Sequence, residues 1–599
     1  MNSRRTADRA ARFDRWFDYP RAASPSVAHD GRTVYFLSDR AGLPHAWQID
    51  REGGEPRSFF GGAERVAGVL PNPGGPGAVV AVDQGGDEHY QLVLADEGGR
   101  VVRELTSEPS RIHRPGAWTE AGEFFFTSNE RDVRFFDVYR VVPHDPGPVR
   151  RVRAEDALVD VLDAREGRLL LARANTNLDS DLLLRDGSSE TVLLPHEGEV
   201  TVFDALLRGG RAYAAANPER EVAALFALAL SGGSPELLAA FDGDLEHIAA
   251  DRTGERLCLA YNDRGYSRLA LFDLRRSELT PVDLPEPGVV GSLVAAPDGS
   301  EFLFPLSGAS LGTDIFAVEA EHATLRRLSL PSVAFPGART LPTVFEVRAS
   351  DGLSVPSWSY EPEGPSRGTI VLVHGGPESQ ARPNFYPLCS FLLGEGYRIV
   401  RPNVRGSLGY GRSFVHLDDG RRRMDSVRDL METVRALRDG ATPVRLGEDE
   451  RIGVFGGSYG GFMVLSSITT YPELFDAAVD VVGISNFITF LERTGAWRRK
   501  VREDEYGSLE RDRDFLTSIS PLHRADRIRT PLLVVHGEND PRVPLYEAEQ
   551  IVTALERRGV PVEFLRYANE GHGLVRRENQ REAYLRAAAF FDRHLARGG

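Results

Sequence analysis

Ser458 lies in the run Arg451-Ile-Gly-Val-Phe-Gly-Gly-Ser-Tyr-Gly-Gly-Phe-Met463, a short apolar strand ending in a serine with glycines two residues to either side. A turn that cramped, from strand directly into helix, presents one hydroxyl as a nucleophile. With 60 glycines in 599 residues, the spacing alone says little. Gly308-Ala-Ser310-Leu-Gly312 repeats it, but no amphipathic helical run follows and Thr313 to Val318 reads as strand, so Ser310 is read as a loop residue. What distinguishes Ser458 is the order of residues beyond it. The apolar run Pro531 to Val535 leads into His536-Gly-Glu-Asn-Asp540, and Val562 to Tyr567 leads into Ala568-Asn-Glu-Gly-His572-Gly573. A carboxylate and then an imidazole thus each occupy a loop just past a strand.

A serine hydroxyl is a poor nucleophile near neutral pH unless an imidazole takes its proton in the transition state, and a carboxylate behind the imidazole fixes its tautomer. His572 is the expected base. Asp540 is its expected carboxylate, in preference to Glu538 two residues earlier. His374 and His536 each end an apolar strand before a glycine and are read as packing residues. Ile370 to Val373 runs into His374-Gly-Gly-Pro377, whose backbone amides, with that of Tyr459, are placed to face a developing oxyanion. The order serine, acid, histidine is that of the α/β-hydrolase scaffold.

Five motifs in order resemble the prolyl oligopeptidase family of serine peptidases, most closely its acylaminoacyl peptidase branch. They are His374-Gly-Gly-Pro377, Asn403-Val-Arg-Gly-Ser-Leu-Gly-Tyr-Gly411, Gly456-Gly-Ser-Tyr-Gly-Gly461, His536-Gly-Glu-Asn-Asp-Pro-Arg-Val-Pro544 and Gly571-His-Gly573. The resemblance implies a triad of Ser458, Asp540 and His572, with the amides of Gly376 and Tyr459 as oxyanion donors. It also implies that Arg542 binds a substrate main-chain carbonyl, and that a β-propeller covers the site and excludes folded proteins.

The remainder of the chain carries the repeats a propeller requires. Glycines in expected hairpin turns recur at Gly31, Gly77, Gly122, Gly167, Gly210, Gly254 and Gly299, each followed by an apolar or alternating run such as Thr33 to Leu37 or Glu301 to Phe304. Seven units of that period predict seven blades. Ala223 to Leu230, ambiguous by composition, is read as strand from its place in the repeat. Past Arg339 the pattern changes to strands alternating with helix-period segments, among them Arg421 to Asp439, Leu545 to Arg558 and Gln580 to Arg597, which predicts a parallel sheet flanked by helices. The expected organisation is an N-terminal segment 1–22, with a short amphipathic helix at Thr6 to Phe17, a seven-bladed β-propeller over 23–334 and an α/β-hydrolase domain over 335–599.

A formal net charge of −16 disfavours nucleic acid as a partner. Cys258 and Cys389 fall in different expected domains, so no disulfide is anticipated and a reducing compartment fits. No apolar leader or membrane-length run is seen, which makes the cytoplasm the expected location. Asn177-Leu-Asp-Ser-Asp181 starts like a calcium loop but lacks glycine at its sixth position, and His416-Leu-Asp-Asp419 is no stronger. No metal and no cofactor are expected, while a homo-oligomer stays open. For substrate, the resemblance implies that the segment Val482 to Trp497 supplies an aromatic-lined pocket for the residue before the cut bond, with Phe487, Phe490 and Trp497 as candidates. Arg498, Arg499 and Arg502, in a basic segment with Arg493 and Lys500, form a candidate site for a peptide's carboxyl terminus. The expected substrates are short peptides, the expected activity acylaminoacyl-peptidase-like; a carboxypeptidase and a carboxylesterase are the alternatives.

Overall fold

The computed structural model describes residues 2–19, 21–328, 335–336 and 341–596, and the chain divides into two compact units. One consists of residues 20–84 and 88–332; the other gathers residues 1–19, 85–87 and 333–599. The boundary expected at residue 334 lies outside the described residues.

The first unit is a seven-bladed β-propeller. Six antiparallel sheets of four strands and one of five follow one another along the chain. All seven repeat glycines have positive φ, between 66° and 88°, in the turn joining each blade's first pairing to its next strand. Ala224–Ala229 is the third strand of the fifth blade. Buried residues segregate into clusters that bridge successive blades. Val80 and Tyr35 belong to one, Phe124 and Leu92 to the next, and so on round the ring. The last cluster joins Val34, Phe36 and Ile49 of the first blade to Leu303, Ile315 and Ala317 of the seventh, so the ring closes through apolar contact.

In the second unit an eight-stranded sheet comprises β1 (Thr343–Arg348), β2 (Ser354–Tyr360), β3 (Thr369–Val373), β4 (Arg398–Pro402), β5 (Ile452–Gly457), β6 (Ala477–Val481), β7 (Leu532–Gly537) and β8 (Val562–Tyr567). Their order in space is β1-β2-β4-β3-β5-β6-β7-β8. β2 runs antiparallel to both neighbours; from β4 to β8 every pairing is parallel. Central strands are buried along their whole length, as helices on both faces require, and read as continuous apolar runs. Chain order reverses at β3, and an open sheet of this kind places its crevice beyond the carboxyl ends of the strands at such a switch.

The helices that bear on the site or pack behind it are α1 (Asn2–Phe17), α2 (Pro387–Gly394), α3 (Arg423–Arg438), α4 (Tyr459–Thr470), α5 (Phe487–Arg493), α6 (Ala496–Tyr506), α7 (Tyr546–Glu556) and α8 (Arg577–Leu595). α4 is buried on all sides from Tyr459 to Thr469, so it has no polar face to read in the sequence. α1 packs on α2 and α8, where the fully buried Phe13 meets Phe391 edge-on at 4.9 Å between ring centres. Arg9 and Arg12 bond Glu395, and Asp14 pairs with Arg581. Among the described residues no helix is long and apolar enough to cross a membrane.

Candidate active site

Four loops beyond the carboxyl ends of β3, β5, β7 and β8 bring the sequence's candidate residues together. Between β5 and α4 the backbone turns at Ser458, with φ 59° and ψ −120°. The strain of that left-handed conformation falls on the serine itself rather than on a glycine. The flanking glycines serve space. A Cβ on Gly456 would lie 2.2 Å from the carbonyl oxygen of Gly460, and one on Gly460 would lie 2.4 Å from the carbonyl oxygen of Val373. Side chains there would force β5, β3 and α4 apart.

His572 Nε2 lies 3.0 Å from Ser458 Oγ, and His572 Nδ1 lies 2.8 Å from Asp540 Oδ2. The other oxygen of Asp540 accepts from the amides of Arg542 at 2.8 Å and Val543 at 2.9 Å, which orients the carboxylate toward the ring. Burial raises the Asp540 carboxyl, but the adjoining His572, with His536 and the amide of Val543, outweighs it and holds the group below its ordinary range. Glu538 bonds instead to Arg566. His536 is fully buried, 2.8 Å from the Val543 carbonyl, and burial pushes its ring toward the neutral form. His374 contacts the Gly375 carbonyl and Ser407 Oγ, and burial brings it down to about 4. Neither ring touches Ser458 through a hydrogen bond.

Tyr459 opens α4, and the first amides of a helix lack intrahelical partners and carry the positive end of its dipole. Gly375 is packed close enough that a Cβ there would sit 3.4 Å from that of Ser458. The Gly375–Gly376 turn and the start of α4 therefore flank the serine hydroxyl. What sequence reasoning missed is the support behind these amides. Tyr459 Oη donates to Asp418 at 3.0 Å and contacts Ser426 Oγ at 2.7 Å. Arg423, fully buried, bonds both Asp418 and Glu505, while Glu378, two residues past Gly376, pairs with Arg502. Burial drives the Glu505 carboxyl well up and that of Asp418 to about 6. The carboxylates of Asp418, Asp419 and Glu505 approach within 4.8 Å, a spacing that suits a cation, and the Arg423 guanidinium already bridges two of them. Their joint role is marked only by tertiary burial; the spacing of Asp418 and Asp419 after His416 suggested no such network.

The substrate candidates are distributed differently from the expectation. Phe487 and Phe490 on α5 are buried in an aromatic cluster with Phe462 and Tyr506, and they do not line the cavity that adjoins Ser458. Trp497 is half-buried at the start of α6 with Arg498 over its ring, also away from that cavity. Arg499 pairs with Glu503 and Arg502 with Glu378, so carboxylates of the chain itself already engage these guanidiniums. Arg542 is half-buried two residues past Asp540.

Residues 383–598 match the prolyl oligopeptidase family profile. A dipeptidyl aminopeptidase of Pseudoxanthomonas mexicana is 27% identical over 543 residues, which cover 83% of this chain and 76% of that one. An acylamino-acid-releasing enzyme of Arabidopsis thaliana is 29% identical over 252 residues, 41% of this chain and only 32% of that protein's length. Among solved structures, a puromycin-hydrolysing peptidase of Mycobacterium tuberculosis superposes with a TM-score of 0.83 at 20% identity, over 98% of this chain and 96% of the other, and shares the fold. The profile match thus lies in the catalytic third, residues 383–598, which resembles the prolyl oligopeptidase family, and the chain is a serine-type peptidase.

Proposed function

We propose that Ser458, Asp540 and His572 form the catalytic triad of an oligopeptidase that cleaves short peptides through an acyl-enzyme, with an apolar residue before the cut bond. The observation that carries this reading is the unbroken chain of contacts from Asp540 Oδ2 through His572 to Ser458 Oγ, at 2.8 and 3.0 Å. Ser458 Oγ attacks the peptide carbonyl carbon as its proton passes to His572 Nε2, and Asp540 stabilises the imidazolium. The oxyanion is received by the amides of Gly376 and Tyr459. His572 then gives the proton to the departing amine, and water repeats the sequence in reverse roles to release the acid. Arg542 is assigned to a substrate carbonyl on the acyl side.

Acylaminoacyl peptidase action is the form favoured by the motif resemblance and by the Arabidopsis relative. The relative from Pseudoxanthomonas, matched over most of both chains, carries a second reading, dipeptidyl aminopeptidase action on free amino termini. One peptide prepared with a free, an acetylated and a carboxyl-amidated terminus separates these. Preferred cleavage of the acetylated form supports the first reading; cleavage abolished by acetylation supports the second. Loss on amidation alone would point to a carboxypeptidase and overturn both.

A further inference from the structure

Helix α8 presents Ala583, Ala587 and Phe591 on one stripe, four residues apart, toward the sheet. Phe591 fills the space at the start of β5, where a Cβ on Gly453 would come within 2.7 Å of its ring. Toward the other end of the strands, beneath Ser458, the stripe carries only alanine. A cavity of about 360 Å³ results, lined by Leu372, Phe455, Val479 and Val535 from four adjacent strands and by Ala583 and Ala587 opposite them. Close-packed interiors hold few voids larger than a water molecule, so a largely apolar slot of this size against the nucleophile has room for part of a substrate. Adjacent strands lie about 4.8 Å apart, so crossing four of them makes the slot on the order of 14 Å long. Gly375, Ser458 and His572 are part of its lining. Tyr386 and Tyr584 close one wall with rings 6.4 Å apart and nearly perpendicular, and Tyr584 is held in turn by Phe13 and Phe17 of α1.

We propose that this slot is an acyl-side subsite that takes an extended aliphatic chain carried on the carbon attacked by Ser458, and that Ala583 and Ala587 set its depth. The inference rests on Ser458 being the nucleophile. Elongation favours a straight chain over a ring, and the apolar walls favour methylenes over any polar group. A group on the attacked carbon enters beneath the serine, whereas the leaving group takes its proton from His572 Nε2 and departs on the outer side.

Alkyl phosphonofluoridates test the assignment, since the alkyl group on phosphorus occupies the position of the acyl substituent. Ser458 Oγ forms the bond to phosphorus, its proton passes to His572, and fluoride leaves. The rates of labelling by ethyl and octyl probes are compared on one preparation, so that any loss of folded protein cancels in their ratio. We expect the octyl probe to label at least about ten times faster than the ethyl probe, a modest fraction of what six buried methylenes can contribute. The ratio should fall toward one in Ala587→Phe and to an intermediate value in Ala583→Leu. A wild-type ratio near one, or a ratio unchanged in both variants, would overturn the subsite. No labelling by either probe would instead remove Ser458 as nucleophile, a distinguishable failure.

Discussion

Asp480 shows how one side chain near the site carries a measurable cost. It lies on β6, fully buried, with an oxygen that a Cβ on Gly461 of α4 would approach to 2.3 Å. Burial raises its carboxyl to about 7, so between about pH 4 and pH 7 the folded protein binds more protons there than the unfolded chain does. The contribution of the protonated form is complete below the unfolded value and is lost as pH rises through 7. At about 1.4 kcal/mol for each tenfold change in proton affinity, the loss is on the order of 4 kcal/mol. Asp480→Asn should therefore gain stability relative to wild type on going from pH 5 to pH 8, measured as the difference in urea midpoints at the two values. A difference that does not change with pH would show that Asp480 does not ionise across this window. His536 is a buried ring and His374 a partly buried one, both pushed toward the neutral form, and their sequence positions, at strand ends before glycine, suggested packing.

The loop that carries Ser458 is specified by steric demand on its glycines. Gly460→Ala places a methyl 2.4 Å from one β3 carbonyl oxygen and 2.9 Å from that of His374, both backbone atoms that move only with the strand. We expect about a hundredfold loss in kcat/KM, the scale of a 1 Å misplacement of reacting groups, together with about 1 to 3 kcal/mol of destabilisation. Peptide hydrolysis and chemical denaturation of the same variant measure both; unimpaired kcat/KM would mean that the turn tolerates the methyl. The elements around this loop differ in how legible they were. β3, β5 and β7 are short apolar runs with glycine or asparagine signals behind them, and α3 has an amphipathic stripe, so their types and places could be read. α5 and α6 were read as pocket elements from the family resemblance and their rings, yet the same aromatic residues serve equally as core, and Phe462 and Tyr506 pack against Phe487 there. Arg423 and Glu378 left no trace in the sequence, and Asp418 only as part of a weak His416-Leu-Asp-Asp419 run, because charged residues announce burial only when their partners, up to 124 positions away in the case of Glu378 and Arg502, are known.

Across the whole molecule the repeat was the most readable feature, since a fixed period of hairpin glycines survives large variation in the strands between them. A propeller holds together only by contacts between neighbouring blades, so its ring is as strong as the junction between first and last. Phe36 is fully buried in that junction, beside Leu303 and Ala317. Phe36→Ala should cost about 3 to 5 kcal/mol, read from the urea midpoint of the full-length protein; a cost below about 1 kcal/mol would mean that closure does not depend on this cluster. Cys258 lies in the propeller and Cys389 in the hydrolase unit, both buried and free.

Residues 2–17 fold onto helices that the ribosome makes about 370 and about 560 positions later. All seven blades are synthesised in between, and domains generally organise as they emerge. The rings of Phe13 and Phe17 must therefore stay without their final neighbours until α2 and α8 arrive. Until then α1 is a sticky amphipathic segment in need of shelter, and the catalytic unit cannot close as a finished body before α8 has been made.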